Sequence, residues 1–169
     1  SSDLRIPTKS VSHLEQTFRK QVSNNLIHEK MKVLGIEIYG REIRIIALEK
    51  SGNEIVNYTN SYKPIKLEDD EIASNVILFK NTLHSTFDAF APDVIVIKYR
   101  NPNGKGQQAP SPISFKIEGI IQLYDKANII FVKPQTLSAF YKKNELLVKV
   151  DFGYQNEALK VAFHYLKTA

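Results

Sequence analysis

The sequence predicts a mixed α/β fold, in which one sheet of five strands carries helices on both faces. The first observation is a set of three β-rich apolar runs separated by short turn signals. The second is that segments of helical and of strand pattern alternate from there to the end of the chain. Three consecutive strands with tight turns indicate an antiparallel meander, and the alternating helices and strands that follow make the sheet mixed.

The first half of this unit supplies three strands, a helix and a fourth strand. Turn signals at 40–41 and 51–53 separate the first three strands. A helix is predicted from the acidic run 68–71, where negative charge suits the helix dipole, to Phe87. The continuous apolar run 94–97 is typical of a buried strand.

The second half continues the alternation. Residues 100–112 contain three prolines and two glycines, which predicts a surface loop of the kind that often carries function. A helix is predicted over 113–126, a fifth strand over 129–132, a helix from Pro134 and a last helix from about Tyr154.

The beginning of the chain differs from the rest. After a polar arm, apolar residues recur at the three- and four-residue spacing of an amphipathic helix: Val11, Leu14, Phe18 and Val22. Met31 looks like a natural chain start. We therefore expect an arm and helix over 1–30 and a globular domain over 31–169. The helix either packs on the domain or serves association with a protein partner or a second copy.

Composition excludes several classes of protein. Of the 169 residues, 43% are hydrophobic and 24% are charged, which excludes wholesale disorder. The chain has no cysteine, which rules out disulfides and thiolate metal sites and fits a cytoplasmic location. No apolar run approaches the ~20 residues of a membrane span, so no membrane partner is expected. The net charge of +5 permits a nucleic-acid partner, but it also fits a simple solubility feature.

One strand carries a recognisable pattern. The segment 33–40 resembles the first strand of RuvC-type Holliday junction resolvases and other RNase H-like enzymes, in which a carboxylate follows a Gly-apolar pair. From Met31 to about Leu166, the chain is similar to a small bacterial and phage family of RNase H-like proteins of unknown function, domain-of-unknown-function family 3010. The matching pieces are Gly35-Ile36-Glu37 with Gly40, and the segments 94–97, 114–118, 121–123 and 154–158.

The resemblance implies a ribonuclease H-like fold and two-metal nuclease chemistry. In such sites three or four converging carboxylates hold Mg²⁺ or Mn²⁺ ions at the scissile phosphodiester. Carried over to this sequence, it implies catalytic and metal-binding roles for Glu37, Glu118 and Glu157. Each residue also has a simpler explanation, such as an ion pair, a solvated surface position or, for Glu157, a favourable place at a helix start.

The end of the fourth strand departs from the nuclease pattern. Lys98-Tyr99-Arg100 stands where nuclease relatives carry an acidic residue, and positive charge there either contacts phosphate or abolishes catalysis. With Lys105 and Lys116, these residues form a basic stretch that no acidic residue interrupts. This stretch is the best candidate for a nucleic-acid surface.

Two functions remain open from the sequence. The first is a RuvC-related, metal-dependent nuclease acting on DNA or RNA. The alternative is a non-catalytic descendant of that fold, which contacts nucleic acid or a protein partner through residues 98–117 and the N-terminal helix. An actin-like nucleotide-binding fragment is less favoured, because the chain is short for two lobes and residues 103–106 lack the spacing of a phosphate-binding loop.

Overall fold

The structure is a computed structural model that describes residues 9–26, 29–59 and 62–169. The chain divides into two compact units, Ser1–Lys30 and Met31–Ala169. No helix within the described ranges is long and apolar enough to cross a membrane.

The first unit contains one described helix, α1 (Lys9–Leu26). The predicted apolar side chains Val11, Leu14 and Phe18 are exposed on it. Val22 belongs to the same helix, but its side chain lies outside the described part, as does the predicted arm up to residue 8. The structure therefore contains the N-terminal helix that the apolar spacing predicts.

The rest of the chain alternates strands and helices. In chain order the elements are β1 (Lys30–Tyr39), β2 (Glu42–Ser51), β3 (Glu54–Asn57), β4 (Ile65–Lys66), α2 (Ala73–Phe90), β5 (Val94–Lys98), a 3-10 turn (Gly106–Gln108), α3 (Pro112–Gln122), β6 (Asn128–Val132), α4 (Pro134–Tyr141), a second 3-10 turn (Gly153–Gln155) and α5 (Asn156–Thr168).

The strands form one mixed sheet in the order β3-β2-β1-β5-β6. The pairs β1–β5 and β5–β6 are parallel, and β2 pairs antiparallel with β3. This confirms the predicted fold class. The sequence prediction lacked β4, which pairs antiparallel with the start of β2. A two-residue strand is too short to show the alternation by which strands are recognised.

Two apolar layers cover the sheet. Side chains of a strand alternate between its faces, so Leu34 and Ile36 of β1 pack with α2 and α3, whereas Val33 packs with α4 and α5. On β5, Ile97 faces the α2–α3 layer and Val96 faces the α4–α5 layer. By the same alternation, Glu37 near the end of β1 and Lys98 at the end of β5 lie on the α4–α5 side of the sheet. Those two strand ends carry the predicted site residues.

The helix α5 lies directly against β1. A Cβ atom placed on Gly35 would stand 2.0 Å from the carbonyl oxygen of Ala158 and 2.8 Å from the Cβ of Ala162. Both distances are far below van der Waals contact, so only glycine fits at this position of β1. Close approach of helix and strand at this point brings the first turn of α5 to the end of β1.

Candidate functional site

A group of charged side chains lies on the α4–α5 side of the sheet, where β5 ends. Lys98 is the last residue of β5, and Glu157 lies in the first turn of α5. The ammonium group of Lys98 donates a 2.7 Å hydrogen bond to Oε2 of Glu157. Lys160, one turn further along α5, donates a 2.7 Å bond to Oε1. Each carboxylate oxygen of Glu157 therefore accepts a hydrogen bond from a lysine of the same chain.

Glu37 lies beside this group, near the end of β1. Its carboxylate is 3.6 Å from Nη1 of Arg44 on β2. Arg44 makes closer contacts with Glu42, whose Oε1 lies 2.9 Å from Nε and 2.8 Å from Nη2. Glu37 therefore shares its arginine with a second carboxylate and has the weaker contact of the two.

The two glutamates of this group have shifted pKa values of opposite sign. Partial burial raises the pKa of Glu37; the charge of Arg44 opposes this shift, and that of Glu157 adds to it. Partial burial also acts to raise the pKa of Glu157, but the hydrogen bonds from Lys160 and Lys98 outweigh it, and the pKa is lowered. Because the charge of Glu157 contributes to the raised pKa of Glu37, the two carboxylates lie within electrostatic reach.

A cavity of about 210 Å³ opens beside Lys98, Glu157 and Lys160. Its other walls come from α4: Pro134, Leu137, Ser138 and Tyr141. The hydroxyl of Tyr141 donates a 2.6 Å hydrogen bond to the carbonyl oxygen of Lys160. Burial raises the pKa of Tyr141, so its hydroxyl stays protonated and joins α4 to α5. The cavity gives a small ligand access to both lysines.

A second charged group surrounds α3, whose apolar face packs in the α2–α3 layer. Arg100, which follows β5, forms an ion pair with Glu118. Lys116 donates a 2.6 Å bond to Asp70, and Arg41 donates a 2.9 Å bond to the same carboxylate. The hydrogen bond from Lys116 is the main cause of the lowered pKa of Asp70. These pairs join α3 to the β5 end and to the segment before α2.

The structure brings together two of the three predicted carboxylates. Glu37 and Glu157 share one group with Lys98: Lys98 is hydrogen-bonded to Glu157, and the charges of both Glu157 and Lys98 act on the pKa of Glu37. Glu118 instead belongs to α3, and the buried residues of this helix pack on the opposite side of the sheet. A metal site that uses all three glutamates would need ligands from both sides of the sheet.

The four predicted basic residues do not form one group in the structure. Lys98 bonds to Glu157, Arg100 to Glu118 and Lys116 to Asp70. Lys105 is exposed in the loop between β5 and α3. The basic stretch of the sequence is therefore largely neutralised by carboxylates outside it: Glu118, which directly follows the stretch, and Asp70 and Glu157, which lie far from it along the chain.

The arrangement does not fit a two-metal centre. Within the ranges that the structure describes, no group of three or more His, Cys, Asp and Glu side chains could hold a metal ion. Hard divalent cations need several oxygen ligands, yet both oxygens of Glu157 accept hydrogen bonds from lysines. Lys98 occupies the strand end where the resemblance calls for an acidic ligand. We therefore assign no reaction step to Mg²⁺ or Mn²⁺.

Sequence reasoning missed two residues of this charged group, Lys160 and Arg44. Lys160 follows Glu157 by three residues on one helix, a spacing at which side chains meet, so it could have been found. Arg44 lies on a different strand from Glu37. Its role depends on the pairing of β1 with β2, which the turn signal at 40–41 predicts, so the position of Arg44 beside Glu37 could also have been found.

Comparison with known proteins agrees with this fold. Residues 31–165 match the family described as "Protein of unknown function (DUF3010)". Among curated proteins none matches. Two solved structures of Thermus thermophilus RuvC, one of them in complex with a Holliday junction substrate, each align with a TM-score of 0.62 at 11% identity, covering 80% of this chain and 93% of RuvC. The fowlpox virus Holliday junction resolvase aligns with a TM-score of 0.47 at 12% identity, covering 82% and 99%.

The mixed sheet and its two helical layers thus form a fold shared with RuvC. The family match extends over nearly all of the second unit. The chain therefore belongs to the DUF3010 family, and its fold is RNase H-like.

Proposed function

We propose that this protein binds DNA or RNA through the group formed by Glu37, Arg44, Lys98, Glu157 and Lys160, and that it does so without metal-dependent cleavage. We call this group the ion-paired site. The observation that carries the proposal is the Lys98–Glu157 hydrogen bond of 2.7 Å at the end of β5. The ammonium group of Lys98 therefore lies where the resemblance to nucleases predicts an acidic metal ligand.

Lysines in this position favour binding over hydrolysis. A divalent ion at Glu157 would have to displace two ammonium groups, each of which forms a charge-assisted hydrogen bond. Lys98 and Lys160 are 36% and 42% exposed, so both still reach solvent and can contact a phosphate. Contacts from lysine to backbone phosphates position nucleic acid without the need for a metal ion.

The comparison with RuvC supports nucleic acid as the class of ligand. The RuvC structure that shares this fold is a complex with a Holliday junction substrate. At 11% identity the likeness concerns the fold, so the choice of ligand rests on the exposed lysines together with that precedent. Branched, duplex and single-stranded probes all belong in the test.

Fluorescence anisotropy with labelled oligonucleotides tests the proposal. We expect binding in EDTA that added Mg²⁺ or Mn²⁺ does not strengthen, and no cleavage on a denaturing gel. Lys98→Gln should weaken binding and reduce the salt dependence by about one phosphate contact. Lys126→Gln is the matched control, since it breaks an exposed Lys–Asp pair at the start of β6, the other end of the parallel strands. Equal loss in both variants contradicts the proposal.

A metal-dependent nuclease is the second candidate. It is favoured by one observation: Glu157 raises the pKa of Glu37, and two carboxylates that repel each other attract a cation. Cleavage of any probe with Mn²⁺ by the unmodified protein, lost in Glu37→Gln, would establish the nuclease and overturn the non-catalytic function. The anisotropy samples serve for both measurements.

A further inference from the structure

Four planar side chains form a continuous row beside the ion-paired site. The guanidinium carbon of Arg44 lies 3.8 Å from the ring centroid of Tyr39 and 5.9 Å from that of Tyr154. The Tyr154 ring stacks on Phe152, with centroids 5.4 Å apart and planes inclined by 3°. We call Tyr39, Arg44, Tyr154 and Phe152 the stacking row.

The two ends of the stacking row are open to solvent. Tyr39 is 58% exposed and Phe152 is 45% exposed, although both carry large apolar rings. The side chain of Arg44, between them, is only 18% exposed. Aromatic groups left in solvent beside fixed charges are typical of a binding surface rather than of a packed core.

The row is held in place before any ligand binds. Glu42 contacts Arg44 through both Nε and Nη2, which fixes the plane of the guanidinium. At the other end, the backbone N–H of Phe152 donates a 3.2 Å bond to Oε1 of Gln155, a fully buried side chain. A surface fixed in this way loses little conformational entropy on binding.

We infer that the stacking row binds unpaired nucleobases of a single-stranded nucleic acid, with bases stacked on Tyr39 and Phe152. The inference rests on the proposed function and names its ligand. Arg44 belongs both to the stacking row and to the ion-paired site, so bases on the row lie next to the lysines that reach the phosphates. The bases of an intact duplex have their faces covered by neighbouring pairs and cannot stack on these rings.

Stacking predicts a dependence on bases that charge alone does not. Aromatic side chains bind single strands through the flat face that every base offers, largely without regard to sequence. Loss of one stacking ring typically weakens binding about 5- to 150-fold. A strand of abasic sugars has the same phosphates but lacks these faces, so it binds only through the charged groups.

The test compares four labelled probes with the full chain by fluorescence anisotropy at low salt: a thymidine strand, its uridine RNA counterpart, an abasic strand of equal length and a duplex. We expect the thymidine strand to bind at least about five-fold more tightly than the abasic strand. Tyr39→Leu and Phe152→Leu should each reduce this preference, by weakening binding of the thymidine strand more than binding of the abasic strand. Tyr39→Phe should preserve it, because the ring remains.

Leu78→Ala is the control, since Leu78 is an exposed large apolar residue of α2, outside the row and on the other side of the sheet. In Tyr39→Leu and Phe152→Leu, the uridine strand should lose affinity in parallel with the thymidine strand, because stacking on an aromatic ring does not distinguish ribose from deoxyribose. A loss of affinity for only one of the two strands contradicts simple stacking. Circular dichroism establishes that each variant folds. A measurement that needs no variant is photocrosslinking of a bromodeoxyuridine strand, which should label Tyr39 or Phe152; labelling only elsewhere overturns the inference.

The outcomes separate this inference from the proposed function. Equal affinity of the unmodified protein for thymidine and abasic strands overturns base stacking. If Lys98→Gln then weakens both probes, nucleic-acid binding stands and only the stacking role fails. If no probe binds, both are overturned.

Discussion

Gly35 on β1 and Ala158 on α5 meet backbone to backbone, with no room for a side chain between them. A Cβ atom on Gly35 would lie 2.0 Å from the carbonyl oxygen of Ala158. Glu37 follows Gly35 by two residues, and Glu157 directly precedes Ala158. The contact that seats the helix on the sheet therefore also fixes the separation of the two acidic residues in the ion-paired site.

Gly35→Ala should destabilise the protein. The added methyl group pushes α5 away from β1, and overpacking of this kind costs about 1–3 kcal/mol of unfolding free energy. Urea unfolding followed by circular dichroism measures the loss. Binding of a nucleic-acid probe should weaken as well, because Glu157 and Lys160 move with the helix, away from Lys98 at the end of β5.

Gly119→Ala provides the control on α3. A Cβ atom there would meet no described atom within 4 Å, and alanine is the better helix former by about 1 kcal/mol. This variant should be slightly more stable than the unmodified protein. If both alanine substitutions change stability alike, the tight contact at Gly35 does not exist in solution.

Glu157→Gln should lower stability at neutral pH. The lysines lower the pKa of Glu157 in the folded protein, so its ionised form stabilises the fold above its ordinary value of 4.5. This contribution disappears as pH falls through the folded pKa. The group is partly exposed, so we expect a loss of about 0.5–1 kcal/mol and a fall in Tm of a few degrees. Thermal melts at neutral and strongly acidic pH measure it, and a deficit that persists in acid would count against the ion pair.

Glu37→Gln should have the opposite effect and raise stability at neutral pH. Burial raises the folded pKa of Glu37, so ionisation at neutral pH costs stability, and this cost is relieved as pH falls below the folded pKa. The neutral amide removes the cost, and the variant should melt higher than the unmodified protein at neutral pH. The difference should vanish well below pH 4.5, the ordinary value. A lower Tm at neutral pH would show that the Arg44 contact outweighs burial.

The sequence predicted more of the fold than of the site. Strand and helix order follows from local periodicity, and the order found in the structure confirms it except for the short strand β4, which the prediction lacked. The site depends on partners far apart along the chain, such as Lys98 and Glu157, and local patterns carry no information about such pairs. The basic stretch looked uninterrupted in sequence, yet Glu118 and Asp70 reach Arg100 and Lys116 only after the chain folds.

Arg100→Gln and Lys105→Gln should separate folding from binding. Arg100 is 15% exposed and pairs with Glu118, so its loss leaves a partly buried carboxylate without its cation and costs about 1–3 kcal/mol. Lys105 is exposed, and its loss should leave the unfolding midpoint unchanged. If Lys105 contacts a phosphate, its removal also lowers the slope of log affinity against log salt by about 0.9. Unfolding curves and salt titrations with one oligonucleotide measure both effects; a stability loss at Lys105 that matches Arg100 would be inconsistent with the ion pair.

Lys98→Glu should create a metal site that the unmodified protein lacks. The change replaces the ammonium group at the end of β5 by a carboxylate, beside Glu37 and Glu157. Three neighbouring carboxylates form a ligand set that Mg²⁺ and Mn²⁺ prefer, whereas two with a lysine between them do not. Calorimetry with Mn²⁺ should detect binding in the variant and none in the unmodified protein. Lys126→Glu adds the same charge at the other end of the parallel strands and should bind no Mn²⁺. Binding by the unmodified protein that Glu37→Gln abolishes would instead mean that Lys98 yields to the metal, and the nuclease would replace the binding protein as the better account of this site.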